Sequence, residues 1–163
     1  MAHTKSVALT AQADRYLFYD KAIVAEDNWP MDKFNKDLQY QGDLGERMSD
    51  AFSKVLAKCD KAVIIGSDCP EISPELIESA FDKLDFADAV VGPTLDGGYY
   101  MLGMKKHHSE LFIDIPWSTE AVFPNTISKL RAANLLYTVM DKLSDMDNID
   151  DLKKFPKYAK GIL

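Results

Sequence analysis

Lys61-Ala62-Val63-Ile64-Ile65-Gly66-Ser67-Asp68-Cys69-Pro70 is the stretch that decides how this chain is read. Val63, Ile64 and Ile65 form a short continuous apolar run, the pattern of a strand buried on both faces of a parallel sheet. Gly66 breaks the run, and Pro70 keeps Cys69 out of helical geometry. Asp68 is thereby expected just past the carboxyl end of a central strand, the edge where open α/β sheets bind ligands. A carboxylate there suits a divalent metal held against a phosphate, because Mg²⁺ takes oxygen ligands from one or two acids plus substrate phosphates. An Asp that caps the next helix accounts for the same letters.

The neighbouring segments alternate between helical and strand patterns. Upstream, Asp43 to Lys58 is the clearest helix, with Leu44, Met48, Phe52, Val55 and Leu56 on one face. Asp43 and Glu46 have capping-box spacing. Residues 1 to 13 read as a short helix, Arg15 to Tyr19 as an aromatic strand, and Ala25 to Tyr40 as irregular with one helical turn. Downstream, Ser73 is set to cap a helix that starts at Pro74 and buries Leu76, Ile77, Ala80, Phe81 and Leu84. Strands follow at Ala87 to Gly92 and Tyr99 to Met104. A helical region over Ser118 to Ala133 restarts at Pro124, and a last strand spans Leu135 to Met140. Asn148 to Phe155 reads as a closing helix. This alternation indicates a layered α/β domain.

Composition bounds the function. The 163 residues suit one domain with one sizeable core. No apolar stretch approaches the roughly 20 residues that cross a bilayer, and the N-terminus lacks a secretory apolar segment. Cys59 and Cys69 make neither a disulfide framework nor a zinc pattern, so a reducing cytoplasm is the simplest location. The net charge of -7 argues against nonspecific nucleic-acid binding, which draws on clustered Lys and Arg. An acidic protein can still take a phosphorylated small molecule when a metal supplies positive charge.

Other segments carry candidate chemistry. In Asp96-Gly97-Gly98-Tyr99-Tyr100 two glycines let the backbone approach a ligand closely, although a tight hairpin turn explains the same residues. Gln41-Gly42-Asp43-Leu44-Gly45-Glu46-Arg47-Met48 opens a helix with two glycines, and Arg47 stands where acids are preferred, which hints at an anion. A glycine loop with an exposed Arg reads equally well. Asp145, Asp147, Asp150 and Asp151 follow the last strand; Asp147 is a candidate second metal ligand, and a solvated helix start is the alternative. Trp117, behind Pro116, suits either stacking on a sugar or base or loop packing. His107 and His108 are expected to face solvent. Cys69 beside Asp68 is a candidate exposed thiol of blunted reactivity.

The order of these motifs is more telling than any one of them. Gln-Gly-Asp-Leu-Gly-Glu-Arg-Met, Gly-Ser-Asp-Cys-Pro, Gly-Pro-x-x-Asp-Gly-Gly-Tyr-Tyr-x-x-Gly, Pro-Trp-Ser-Thr and Asp-x-Asp-x-x-Asp-Asp-Leu occur in succession. Over about residues 25 to 155 the chain strongly resembles a largely uncharacterised bacterial family of GT-A-type transferases, often encoded beside radical-SAM or selenium-related proteins. The resemblance implies a three-layer α/β/α sandwich with a Rossmann-like, mostly parallel mixed sheet. It implies that Asp68 holds Mg²⁺ or Mn²⁺ beside a nucleotide diphosphate, and that Asp96, Gly97 and Gly98 face the transferred group. Asp147 stands where related nucleotidyltransferases place an acid, with Asn148 and Asp150 replacing their Thr and Glu. Members usually begin with a strand and a Lys-Thr-Arg-containing loop that cradles the nucleotide, and this chain starts after them.

The expectation is a metal-dependent glycosyltransferase that uses a nucleotide-diphospho-sugar. In it Asp96 is the candidate catalytic base, Arg47, Gly97, Gly98 and Trp117 bind substrate, and Asp68 and Asp147 hold the metal. A nucleotidyltransferase of the same fold is the first rival. A degenerate, non-catalytic member that binds a partner through an exposed sheet edge is the second.

Overall fold

The computed structural model describes residues 2–67 and 69–144. In chain order these form α1 (Ala2–Thr10), β1 (Tyr16–Tyr19), β2 (Asn35–Leu38), α2 (Leu44–Leu56), β3 (Ala62–Ile65) and α3 (Pro74–Lys83). Then follow β4 (Ala89–Pro93), β5 (Tyr99–Met104), a 3-10 turn at Ser109–Leu111, α4 (Val122–Ala132) and β6 (Tyr137–Val139). The closing helix expected over Asn148 to Phe155 lies outside the described residues.

Local chemistry sets the helix starts as the sequence predicts. Asp43 accepts from the Glu46 amide while the Glu46 carboxylate accepts from the Asp43 amide, closing the capping box of α2. Ser73 Oγ accepts from the Leu76 amide, and Pro74 takes the first position of α3, where its missing N–H costs nothing. The helix expected from Ser118 starts instead at Val122. Pro124 lies in its first turn, where amides lack intrahelical partners anyway.

β2 was not legible as a strand. Asn-Lys-Asp-Leu has neither β-branched nor aromatic residues, and only parallel pairing with β1 makes it extended. The remaining strands form a separate sheet in the order β3-β5-β4-β6. β5 runs antiparallel to β3 and to β4, whereas β4 and β6 are parallel. The strand over Val63 to Ile65 forms as expected, but its setting differs. Among the described residues it is the edge of this sheet, paired antiparallel, and all three residues are only half-buried.

The layers follow from side-chain alternation. Val63, Ile65, Val90 and Met101 face α1 and α3, joining Val7, Ala11, Ile77, Ala80 and Leu84. Ala62, Ile64, Ala89, Val91, Leu102 and Met104 face the other way, onto Phe52 and Val55 of α2 and Ile127 and Leu130 of α4. The result is a three-layer α/β/α sandwich. Leu44 is the exception in the α2 stripe: it is 49% exposed because it precedes the covered part of the helix. A bulge marks one end of the sheet. Gly92 faces Met101 and Pro93 faces Tyr99, leaving Tyr100 as an extra residue. The Tyr100 ring occupies the space over Gly92, where a Cβ would come within 2.4 Å of it.

Candidate functional site

The register places several motifs on one rim. β3, β4 and β6 all run toward it, and β5 starts from it, so Gly66, the Thr94–Gly98 turn and Leu143 meet there. The Gly66 amide donates to Tyr100 O at 2.8 Å, which ties the Gly-Ser-Asp-Cys-Pro turn to the Asp-Gly-Gly-Tyr-Tyr motif. These two segments, distant in sequence, are neighbours.

The Asp-Gly-Gly segment is a hairpin turn between antiparallel strands. The Thr94 amide donates to Gly98 O (3.1 Å) and the Gly97 amide to Thr94 O (3.3 Å). Gly97 has φ +93°, open to glycine and strained for other residues. A Cβ on it would also lie 2.3 Å from the Glu120 carbonyl oxygen. Asp96 Oδ1 accepts from the Thr94 hydroxyl and from the Gly98 amide, the latter at 2.9 Å. The carboxylate is therefore oriented by its own turn. Thr94 is 3% exposed, and the sequence reading missed it; the Thr-x-Asp-x-Gly spacing was the available signal.

The Trp-Ser-Thr loop closes on this hairpin. Trp117 packs on Gly45 at the start of α2, where a Cβ would meet Trp117 Nε1 at 2.4 Å. It meets Tyr99 edge-on, ring centres 6.4 Å apart. Trp117 thus packs between the start of α2 and β5 and is half-buried. Ser118 holds φ +62°, an uncommon conformation for a residue with a side chain. Thr119 Oγ1 donates to Pro116 O at 2.7 Å, and the Phe123 amide donates to Gly97 O at 2.8 Å, anchoring the loop and α4 to the turn.

Arg47 sits in the first turn of α2, its side chain 38% exposed. Its guanidinium donates to Gly42 O (2.8 Å) and Gln39 Oε1 (3.2 Å) and lies 3.4 Å from Asp20 Oδ1. It therefore joins the ends of β1 and β2 to the start of α2.

The segment after β6 is pinned to the same rim. Tyr100 OH donates to Asp141 O (3.1 Å), Cys69 Sγ to Ser144 O (3.5 Å), and the Ser144 amide to Glu71 Oε2 (2.7 Å). Burial pushes the Tyr100 phenol up to about 12, with the Cys69 thiol and the Asp141 carboxylate adding to it, so it acts as a donor. Cys69 is 1% exposed, which corrects the exposed-thiol reading: the proline turn folds it under the sheet end. Glu71 had no signal in sequence. Asp68 and Asp147, the expected metal ligands, lie outside the described residues. Among the described residues no group of three or more His, Cys, Asp or Glu is placed to hold a metal ion.

His107 lies away from this rim, and it does not simply face solvent. It is half-buried after β5, with its Nε2 2.9 Å from Ser49 Oγ and its ring stacked on Phe112. Among the described residues no helix is long and apolar enough to cross a membrane.

A family model described as "Uncharacterized protein conserved in bacteria (DUF2064)" matches residues 3–119, which hold α1 through the Trp-Ser-Thr loop. The chain belongs to the DUF2064 family. No curated protein matches it. Among solved structures this DUF2064 chain is similar to a "putative nucleotide-diphospho-sugar transferase" from Desulfovibrio desulfuricans G20. That match has a TM-score of 0.85 and 28% identity, covering 98% of this chain and 72% of the other. It is also similar to CMP:2-keto-3-deoxy-manno-octonic acid synthetase complexed with CTP, with a TM-score of 0.68 and 12% identity. That likeness covers 99% of this chain and 88% of the other, and at such identity it speaks for the fold alone. The architecture is that of a GT-A-like, nucleotide-sugar transferase fold.

Proposed function

We propose that this DUF2064 protein is a metal-dependent glycosyltransferase acting on a nucleotide-diphospho-sugar. The observation that carries the reading is the meeting of the Gly66–Ser67 turn and the Thr94–Gly98 hairpin at one sheet rim. The likeness to the Desulfovibrio protein over 98% of the chain supports it. Asp68 and Asp147 would hold Mg²⁺ or Mn²⁺. Both are hard oxygen donors, and Ser144, three residues before Asp147 in sequence, bonds to Glu71, three residues after Asp68 in sequence. When bound, the ion would offset diphosphate charge and stabilise the leaving group.

The chain's own residues supply orientation. The Thr94 hydroxyl and Gly98 amide hold Asp96 Oδ1, so its carboxylate would meet an incoming acceptor hydroxyl as a base in a fixed geometry. Gly97 and Gly98 would face the transferred group with their backbone, since the side on which a Gly97 Cβ would stand is already taken by the Glu120 backbone. Arg47 would exchange its exposed Asp20 contact for a phosphate group, gaining a charge-assisted hydrogen bond there. Trp117, half-buried, would stack on the sugar or base. The protein is read as cytoplasmic.

A nucleotidyltransferase is the second reading, since the fold is shared with a synthetase solved in complex with CTP. Product analysis separates the two. Nucleoside diphosphate released from a nucleotide sugar supports glycosyl transfer, and pyrophosphate released from a triphosphate supports nucleotidyl transfer. Nucleotide binding with Mg²⁺, followed by calorimetry, is expected to be lost in Asp68→Ala; unchanged binding would refute the metal role.

A further inference from the structure

The β6 side of the larger sheet lacks the usual guards of an open strand. Leu135 to Met140 reads Leu-Leu-Tyr-Thr-Val-Met, without a charge, a proline or a glycine. Among the described residues β6 pairs only with β4. Tyr137 faces the α2 and α4 layer and Met140 the α1 and α3 layer, so Val139 lies on the first face and Leu136 and Thr138 on the second. Leu136 is 63% exposed and Val139 44% exposed, which leaves apolar surface open on both faces of this edge.

Half of the β6 backbone is turned outward. The Ala89 amide donates to Leu136 O (3.2 Å) and the Met140 amide to Val91 O (2.8 Å), with Val90 opposite Thr138 between them. Leu136, Thr138 and Met140 therefore bond inward to β4, and Tyr137 and Val139 present their N–H and C=O groups away from it.

This edge is complementary to itself. Laid antiparallel about a two-fold axis at Thr138, Tyr137 of each copy stands opposite Val139 of the other, and each such pair can exchange both of its ladder bonds. The side chains agree with that register. It sets an aromatic residue against a β-branched one on one face and Leu136 against Met140 on the other. Charge agrees as well. Exposed Arg131, whose Nε donates to Tyr137 OH (2.9 Å), lies at one end of the ladder, and exposed Asp141 follows the other end, so each cation would stand at the same end of the pair as the other copy's anion. We infer that β6 is a homodimer interface, through which two copies join edge to edge and their four-stranded sheets become one. A second copy is the occupant because the same six residues satisfy both sides of the pairing. None of the candidate-site residues takes part, so the inference stands whether or not that site is a transferase.

The test follows the full chain by sedimentation and amide exchange across a wide range of protein concentration. The mass should rise from monomer to dimer, and exchange at Tyr137 and Val139 should slow in step with it. Val139→Pro removes only an outward N–H, so it should fold, with the same thermal midpoint at low concentration, and stay monomeric. A second pair of variants reads the axis itself. Thr138→Lys and Thr138→Glu each set like charges against each other and should be monomeric alone, whereas an equimolar mixture should dimerise. Four outcomes overturn the inference: a monomer at every concentration, dimers that persist in Val139→Pro, Tyr137 and Val139 amides already protected in the monomer, or no dimer in the mixture.

Discussion

The two sheets of this molecule are held by different physics. In β3-β5-β4-β6 the strands bury Val90, Val91, Leu102 and Met104 completely or nearly so between helices, and burial of each such side chain contributes about 1.5–3 kcal/mol. No residue of β1 or β2 is fully buried, and polar groups do the organising there. Lys36, its side chain 1% exposed, donates to Val24 O (2.7 Å) and Asp27 Oδ1 (2.9 Å), and Tyr19 OH donates to Asp27 Oδ2. Burial works against the Lys36 charge, but hydrogen bonds to Asp27 and Tyr19 outweigh it and raise its pKa. Hydrophobic packing is non-directional and survives changes of pH, whereas a charge network is only as durable as its protonation state.

That contrast can be broken most severely in the larger sheet. Leu102→Ala, at a site 1% exposed, should cost about 2–5 kcal/mol and lower the midpoint of chemical denaturation without changing its cooperativity. A loss under about 1 kcal/mol would mean the packing there is looser than the burial implies. Thr94→Val is the intermediate case. It keeps the shape of a buried side chain but takes one donor from Asp96, so a loss of about 1–3 kcal/mol is expected, recovered by Thr94→Ser. If valine were as stable as threonine, the hairpin would be held by its backbone bonds alone.

The smallest effect belongs to the two-stranded sheet. Hydrogen bonds from Tyr19 and Lys36 lower the Asp27 carboxyl from 3.8 to about 2. A carboxyl depressed in the folded state contributes stability that is fully present above its unfolded value and disappears as pH falls through the folded one. Acidification from about pH 4 to pH 2 should therefore loosen the Asp20–Phe34 connection, seen as faster amide exchange at Trp29, whose amide donates to Asp27. The larger sheet should show no matching change at Val91 or Leu102. Equal loosening of both would erase the distinction drawn here.

Much of this was legible in the residues, and the misses have specific causes. The starts of α2 and α3 were readable because caps act over three residues. Five of the six strands were readable from apolar, β-branched or aromatic runs. β2 was not, because Asn-Lys-Asp-Leu becomes a strand only through a partner some 19 positions away in register. The candidate site was legible as motifs in order, yet Glu71 carried no signal and Thr94 only the Thr-x-Asp-x-Gly spacing of a turn. One pins Ser144 across 73 positions; the other works through a turn whose shape no pattern of hydrophobicity records.

By itself the sequence determined where helices begin, which runs are extended and which residues repeat a family's motif order, since these depend on nearest neighbours along the chain. Only the tertiary structure decided that Val63–Ile65 form an edge rather than a centre among the described residues, that Trp117 packs on Gly45, and that the strand end at Gly66 abuts the Asp-Gly-Gly hairpin. Those are matters of pairing between distant segments, which are settled by competition for backbone hydrogen bonds and buried area across the whole chain.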